Sequence, residues 1–216
     1  MRNSHTRPQT GAPRRNRIIL ASASPRRAEL LRQVGIEFDI VTPEVDESQI
    51  VCNHPTETAV RRAEAKLQAA LAALALARGS AGADAGGSNG KLVLAADTMV
   101  FIGTQTFGKP KTPEDAHRIV GALSGRTHTV VTACAWAVGD RRDTLFETAD
   151  VTFSPLSQNE LRRYVESEEW RGVAGGYRIQ GLAAAFISRL EGSYATVMGL
   201  PIHRVYTIVK HNNGTQ

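Results

Sequence analysis

Cysteine is almost absent from this chain: Cys52 and Cys134 are the only two among 216 residues, and no CxxC spacing joins them. A disulfide-stapled framework and a cysteine-rich zinc site are excluded. The two read as reduced, unpaired thiols of a cytoplasmic protein, with a single bridge between them as the alternative. Long apolar runs are also missing. No segment approaches the ~20 apolar residues of a membrane helix, and the N-terminal stretch lacks the apolar segment of a secretory signal. Aromatic residues make up 6% of the chain and offer no stacking platform for single-stranded nucleic acid. There is no HExxH, no Cys/His zinc set, no GxSxG and no internal repeat.

Acidic residues are absent from positions 1 to 17, which carry Arg2, Arg7, Arg14, Arg15 and Arg17. These arginines match the formal net charge of +5, so the remaining body is close to neutral. No specific nucleic-acid partner is expected of it. Pro8, Gly11 and Pro13 interrupt the first 16 residues, and no apolar run accompanies them. Residues 1–16 are read as a disordered basic tail. A mitochondrial transit peptide is the sharper alternative, but the tail has no amphipathic apolar face.

What is present supports a single bilobed domain over residues 17–210, with hydrophobic residues at 42% to build a core. Residues 17–22 read as a short buried strand running into Ser24-Pro25-Arg26-Arg27. There Ser24 suits an N-cap, Pro25 the first helical position, and Gly35 a helix end. Residues 36–40 alternate as a half-buried strand, and a long helix is expected over 56–77. Gly, Ala and Ser dominate 79–90, a flexible loop by composition. The apolar run within 91–100 suits a strand covered on both faces. Capping signals open helices after Thr112 and Ser157, with strands near 128–138 and 144–153 between them. A strand near 183–187 and a helix after Pro201 complete the series. Strands alternating with helices give an α/β fold, and the unbroken β-run over 128–153 points to a mixed sheet.

Four segments could carry chemistry. Ser22 to Arg27 brings a strand end into a helix N-terminus, with free N–H groups and two arginine forks suited to phosphate oxygens. Arginines there oppose the helix dipole, an arrangement that a bound anion would relieve; the plain alternative is a solvated helix start. Asp97 and Thr98 follow the apolar strand, where α/β folds place ligands, and a carboxylate there can hold Mg²⁺ or take a proton from water. The plain alternative is a turn cap. Gly103 to Pro110 nearly matches GxxxxGK[ST], but Pro110 has neither a hydroxyl nor an N–H, so a P-loop is rejected; Lys109 remains a candidate point charge. Gly175 to Gly181 allows close backbone approach, and Gln180 carries the donor and acceptor that a uracil-like base edge would match; the alternative is a tight turn. Asp46 and Glu47 are further candidate metal or water ligands. Glu57, Arg61, Glu64 and Lys66 have the spacing of a charged helix face, and His128 reads as structural.

Taken in order, the segments Leu20 to Arg27 with Glu29-Leu30-Leu31, Val45-Asp46-Glu47, Arg61 to Lys66, Ala96-Asp97-Thr98, Gly108-Lys109-Pro110, Leu123 to His128, Ala174 to Gly181 and Gly199-Leu200-Pro201 resemble the Maf family of nucleotide pyrophosphatases. The resemblance implies a two-lobed mixed sheet with flanking helices and a central cleft, similar to the inosine triphosphate pyrophosphatases. It implies cleavage of nucleoside triphosphates between the α- and β-phosphates with a divalent cation, Mg²⁺ or Mn²⁺, and a homodimer by precedent. Asp97 matches the family's proton-accepting acid and, with Glu47, its metal-side carboxylates. Ser24, Arg27, Lys66 and Lys109 match substrate-binding positions, and Arg26, Thr98 and Gln180 fall where the family chooses the base. Ser-Pro-Arg-Arg with Gln180 looks like the branch acting on dTTP and UTP, with modified pyrimidine triphosphates in range, rather than the 7-methyl-GTP branch. A non-catalytic nucleotide-binding regulator of septum formation is the alternative from another class. Val173 departs from the family, standing where many members have Lys and removing one phosphate contact; Arg178 is a candidate to replace it.

Overall fold

The computed structural model describes residues 17–81 and 90–212. The expected tail and residues 82–89 of the expected loop lie outside them.

The chain opens with strand β1 (Ile18–Ala21) and helix α1 (Pro25–Gln33), where Ser24 takes the N-cap position without a side-chain capping bond. Strand β2 (Phe38–Val41) follows, then helix α2 (Pro55–Ala81), which runs four residues past its expected end at 77. Strand β3 (Val93–Ile102) turns through Gly103 into the short strand β4 (Gln105–Phe107). The rejected P-loop segment is thus mainly an antiparallel hairpin. Helix α3 (Pro113–Leu123) starts with the Thr112 hydroxyl accepting from the Asp115 amide. Strands β5 (Thr127–Val138) and β6 (Arg141–Phe153) form a long hairpin. Helix α4 (Gln158–Glu166) carries a complete Ser157–Glu160 capping box, satisfying donors that a helix start leaves orphaned. The strand expected near 183–187 is displaced: Leu182–Phe186 forms a 3-10 turn, and strand β7 is Ile187–Glu191. An apolar stretch this short does not distinguish a strand from a compact turn by periodicity. Helices α5 (Tyr194–Met198) and α6 (Ile202–Asn212) end the described chain.

The seven strands form one mixed sheet in the order β2-β1-β3-β5-β6-β7, with β4 attached to β3. The β2-β1-β3 pairings are parallel, and those from β3 through β7 are antiparallel. Alternation along the strands divides the core into two layers. Ile19, Ala21, Val93, Ala95, Val131, Ala133 and Ala135 pack with Ala59, Ala63, Leu67 and Ala70 of α2 on one face. Ile18, Leu20, Leu94, Ala96, Val130 and Cys134 face the opposite layer, which holds residues of α1, α3, α4, α5 and α6. This is the expected mixed α/β sheet flanked by helices. Both cysteines are free, so the bridged alternative is absent. Among the described residues, no helix is long and apolar enough to cross a membrane.

Candidate functional site

The cleft arises from a mismatch of strand lengths. β1 ends at Ala21, paired with Ala95, whereas β3 continues to Ile102. β4 covers β3 only from Val100 to Ile102. The β1-side edge of β3 is therefore uncovered around Asp97 and Thr98. The crevice beyond the carboxyl end of a parallel strand is where open α/β sheets bind ligands.

That crevice is a cleft of about 720 Å³ lined by Ser24, Arg26, Arg27, Glu47, Lys66, Asp97, Thr98 and Lys109. These eight sequence-predicted site residues therefore meet there. Gln180 does not line it and lies on an exposed turn. Asp46 is also outside, where its carboxylate accepts from the Ser48 amide and hydroxyl at 3.0 and 2.6 Å. Val173 is buried, with only 1% of its surface exposed, so this side chain belongs to the core.

Neighbouring residues on β3 serve opposite faces. Asp97 points to the α2 layer, where Lys66 donates to its Oδ1 at 2.6 Å. The same Lys66 Nζ lies 2.8 Å from Glu47 Oε1. Lys66 is thus withdrawn from the charged solvent face expected of α2, while Arg61 and Glu64 remain there as an exposed pair. Asp97 Oδ2 is buried and has no hydrogen-bond partner. Burial would raise the Glu47 carboxyl, but the Lys66 hydrogen bond and the charges of Lys66, Lys109 and Arg62 outweigh it and hold the group below its ordinary value.

Thr98 points to the other layer and meets Arg27. The guanidinium donates from Nε to the Gly199 carbonyl at 2.7 Å, from Nη1 to Ser22 Oγ at 3.0 Å and from Nη2 to Thr98 Oγ1 at 3.1 Å. Burial lowers its pKa, opposed by Asp97, the Cys134 thiol and Glu47. Gly199 ends α5 at φ 109°, and a Cβ there would lie 3.2 Å from Thr98 Oγ1. The chain continues from Thr98 to Thr132, from Thr132 to the Thr196 carbonyl, and from the Thr196 hydroxyl to Glu147. Arg27 is therefore a fully tethered cation that joins β1, β3 and α5.

Arg26 differs: it has no hydrogen bond or ion pair among the described residues. Burial, then the nearby charges of Arg27 and Arg178, push its pKa down to about 10. An unpaired, half-buried arginine at a helix start is suited to an anion. Arg178, the candidate to replace the missing lysine, lies close enough to act on Arg26 but does not line the cleft.

Sequence reasoning missed Arg62 and Lys111, which also line the cleft. Arg62 Nε donates to the Ile50 carbonyl at 3.1 Å, and the Thr58 hydroxyl accepts from the Cys52 amide at 3.0 Å. The first turns of α2 thereby hold the segment that carries Glu47. The spacing of Arg62 and Lys66, one helical turn apart, was the available signal. His128 stands apart from the cleft as read: its Nε2 bonds the Tyr177 hydroxyl at 2.8 Å among aromatic neighbours.

A cleft with a buried acid and a ring of cations suits a polyanion that is to be deprotonated or attacked by water. Comparison with known proteins agrees. The family model described as Maf-like protein matches residues 17–212. A dTTP/UTP pyrophosphatase of Symbiobacterium thermophilum is 42% identical over 187 residues, covering 87% of this chain and 89% of the relative. One from Chelativorans sp. is 41% identical over 196 residues, covering 89% and 90%. One from Brucella abortus is 43% identical over 190 residues, covering 87% of each. With the fold, the cleft residues and a family match spanning nearly the whole chain in agreement, this protein belongs to the Maf family.

Proposed function

We propose that this chain is a nucleoside triphosphate pyrophosphatase that hydrolyses dTTP and UTP to the monophosphate and pyrophosphate. The observation that carries the reading is the buried, unpartnered Asp97 Oδ2 beside Lys66, within a cleft lined by Arg26, Lys109 and Lys111. Binding alone would use the cations but has no need of a buried acid, so the regulator reading is not favoured. The relatives' names support the dTTP and UTP branch over the 7-methyl-GTP branch.

In the proposed reaction, Asp97 accepts a proton from a water whose oxygen bonds to the α-phosphorus. The bond from that phosphorus to the bridging oxygen breaks, and pyrophosphate leaves. Ser24, Arg26, Lys66 and Lys109 hold the phosphate oxygens and stabilise the charge that develops on the leaving group. Arg27 sets the position of Thr98 and the α1 start. Arg26, Thr98 and Gln180 are assigned to base choice, the last from an exposed turn outside the cleft.

A divalent cation belongs to the same proposal. Mg²⁺-type sites commonly use one or two carboxylates with substrate phosphates and water. Asp97, with its orphaned oxygen, and the half-exposed Glu47 fit that donor set. No group of three or more His, Cys, Asp or Glu suited to a metal occurs among the described residues. Mg²⁺ or Mn²⁺ held there would polarise the phosphate and neutralise its charge. A cytoplasmic location and a homodimer complete the reading; sedimentation velocity tests the latter.

The test is pyrophosphate release from dTTP, UTP, CTP, GTP, ATP, ITP and 7-methyl-GTP with Mg²⁺ or Mn²⁺, for wild type and Asp97→Asn. Turnover of dTTP and UTP is expected, abolished by chelator and reduced about 10²- to 10⁴-fold in the variant. Preference for 7-methyl-GTP would overturn the branch. Binding without turnover of any nucleotide would overturn the activity.

A further inference from the structure

Lys66 occupies an unusual point for a residue expected to contact phosphate. Its Nζ lies 2.6 Å from Asp97 Oδ1 and 2.8 Å from Glu47 Oε1, and its side chain is only 13% exposed. Two carboxylates from separate segments converge on one ammonium. A half-buried cation satisfies them both, as two like charges otherwise repel at close range. These are the same carboxylates that fit a divalent cation. An ammonium bridging Asp97 Oδ1 and Glu47 Oε1 repels a metal ion brought to the remaining oxygens of the same two carboxylates, because both are positive. Arg62 Nη1 lies 4.0 Å from Glu47 Oε2, the oxygen that Lys66 does not contact most closely.

We propose that Lys66 is a resident counter-cation of the nucleotide-free cleft. It holds Asp97 and Glu47 in register, opposes divalent-cation binding before nucleotide arrives, and yields its place as the cation enters with the triphosphate. The released ammonium then pairs with phosphate oxygens, so its charge is used in both states. Cation and nucleotide binding are thereby coupled, because each removes a cost that the other would otherwise meet. The long, flexible lysine stem permits this exchange, whereas the tethered Arg27 has no such freedom. The inference rests on the proposed metal-dependent activity but concerns the protein without nucleotide.

The experiment is titration of full-length, nucleotide-free protein with Mn²⁺, followed by electron paramagnetic resonance of the free ion. Wild type, Lys66→Met and Lys66→Met/Glu47→Gln are compared, with circular dichroism to check folding. Lys66→Gln, which keeps a donor for Asp97, serves if Lys66→Met does not fold. Removing the ammonium is expected to raise Mn²⁺ affinity about 5- to 150-fold, the usual range of coupling between sites. The double variant should lose that gain. Mn²⁺ should also raise the Tm of the single variant more than NaCl of equal ionic strength, a response that loss of mere packing would not produce. A folded variant that binds Mn²⁺ no better than wild type overturns the proposal. Pyrophosphate release by wild type is scored separately. Gained Mn²⁺ affinity without any nucleotide turnover would sink the activity and support the counter-cation, and full turnover with unchanged Mn²⁺ affinity would do the reverse.

Discussion

His128 is a buried histidine whose neighbours are chiefly aromatic, with only 1% of its surface exposed and its Nδ1 without a partner. Burial pushes its pKa down to about 4, against a smaller opposing effect of Asp150. The folded protein thus keeps the ring neutral, while the unfolded chain takes up a proton near the ordinary value of 6.5. The stability this provides is complete above pH 6.5, declines as pH falls, and is lost through about pH 4. The slope is up to about 1.4 kcal/mol per pH unit. Urea unfolding at several pH values should show a shallower acid decline for His128→Phe than for wild type; parallel curves would exclude this role. The contrast between the two adjacent arginines belongs to the same scale. Both were legible as phosphate candidates from Ser-Pro-Arg-Arg, but only the fold shows that Arg27 is committed to Gly199, Ser22 and Thr98 while Arg26 is unpaired.

Helix α2 meets the sheet through small side chains. Ala59, Ala63 and Ala70 share one fully buried layer with Ala95, Ala133 and Ala135 of the strands. Such a contact brings the helix close to β3, and Lys66 stands three residues beyond Ala63. Ala63→Leu should overpack this layer and cost about 1–3 kcal/mol. It should also lower pyrophosphate release by more than the lost folded fraction explains, because Lys66 moves with the helix. Unchanged turnover in the folded variant would show that α2 can shift without disturbing the site. Elements with strong local signals were readable in advance: the Ser157–Glu160 capping box, Pro25 at the first turn of α1 and the apolar run of β3. The 3-10 turn at Leu182–Phe186 was not, because its short apolar stretch suits several conformations. The end of α2 was also misplaced: Gly79 lowers helix propensity by only about 1 kcal/mol, which does not by itself stop a helix.

At the scale of the whole molecule, the cleft draws together β1, α1, the Glu47 segment, α2, β3 and β4. A ligand bound there and not to the unfolded chain stabilises all of them together. A dUTP analogue with a methylene between the α- and β-phosphorus atoms, added with Mg²⁺ at 100 times its dissociation constant, should stabilise the fold by about 2.7 kcal/mol. Differential scanning calorimetry reads this as a rise in Tm, and no rise at saturation of the cleft would exclude the site. Arg26→Ala should weaken the response by removing the unpaired guanidinium.

The sequence by itself determined the alternation of strands and helices, because periodicity and capping act over a few residues. It also determined the family, because eight short segments stand in one order along the chain. Tertiary structure alone decided where those segments converge. β1 stops while β3 continues, and that difference opens the edge at Asp97. The alternation of side chains along β3 then sends Asp97 to Lys66 and Thr98 to Arg27, on opposite faces of one strand. Contacts between residues 31 and 71 positions apart depend on register and packing, which no local pattern encodes.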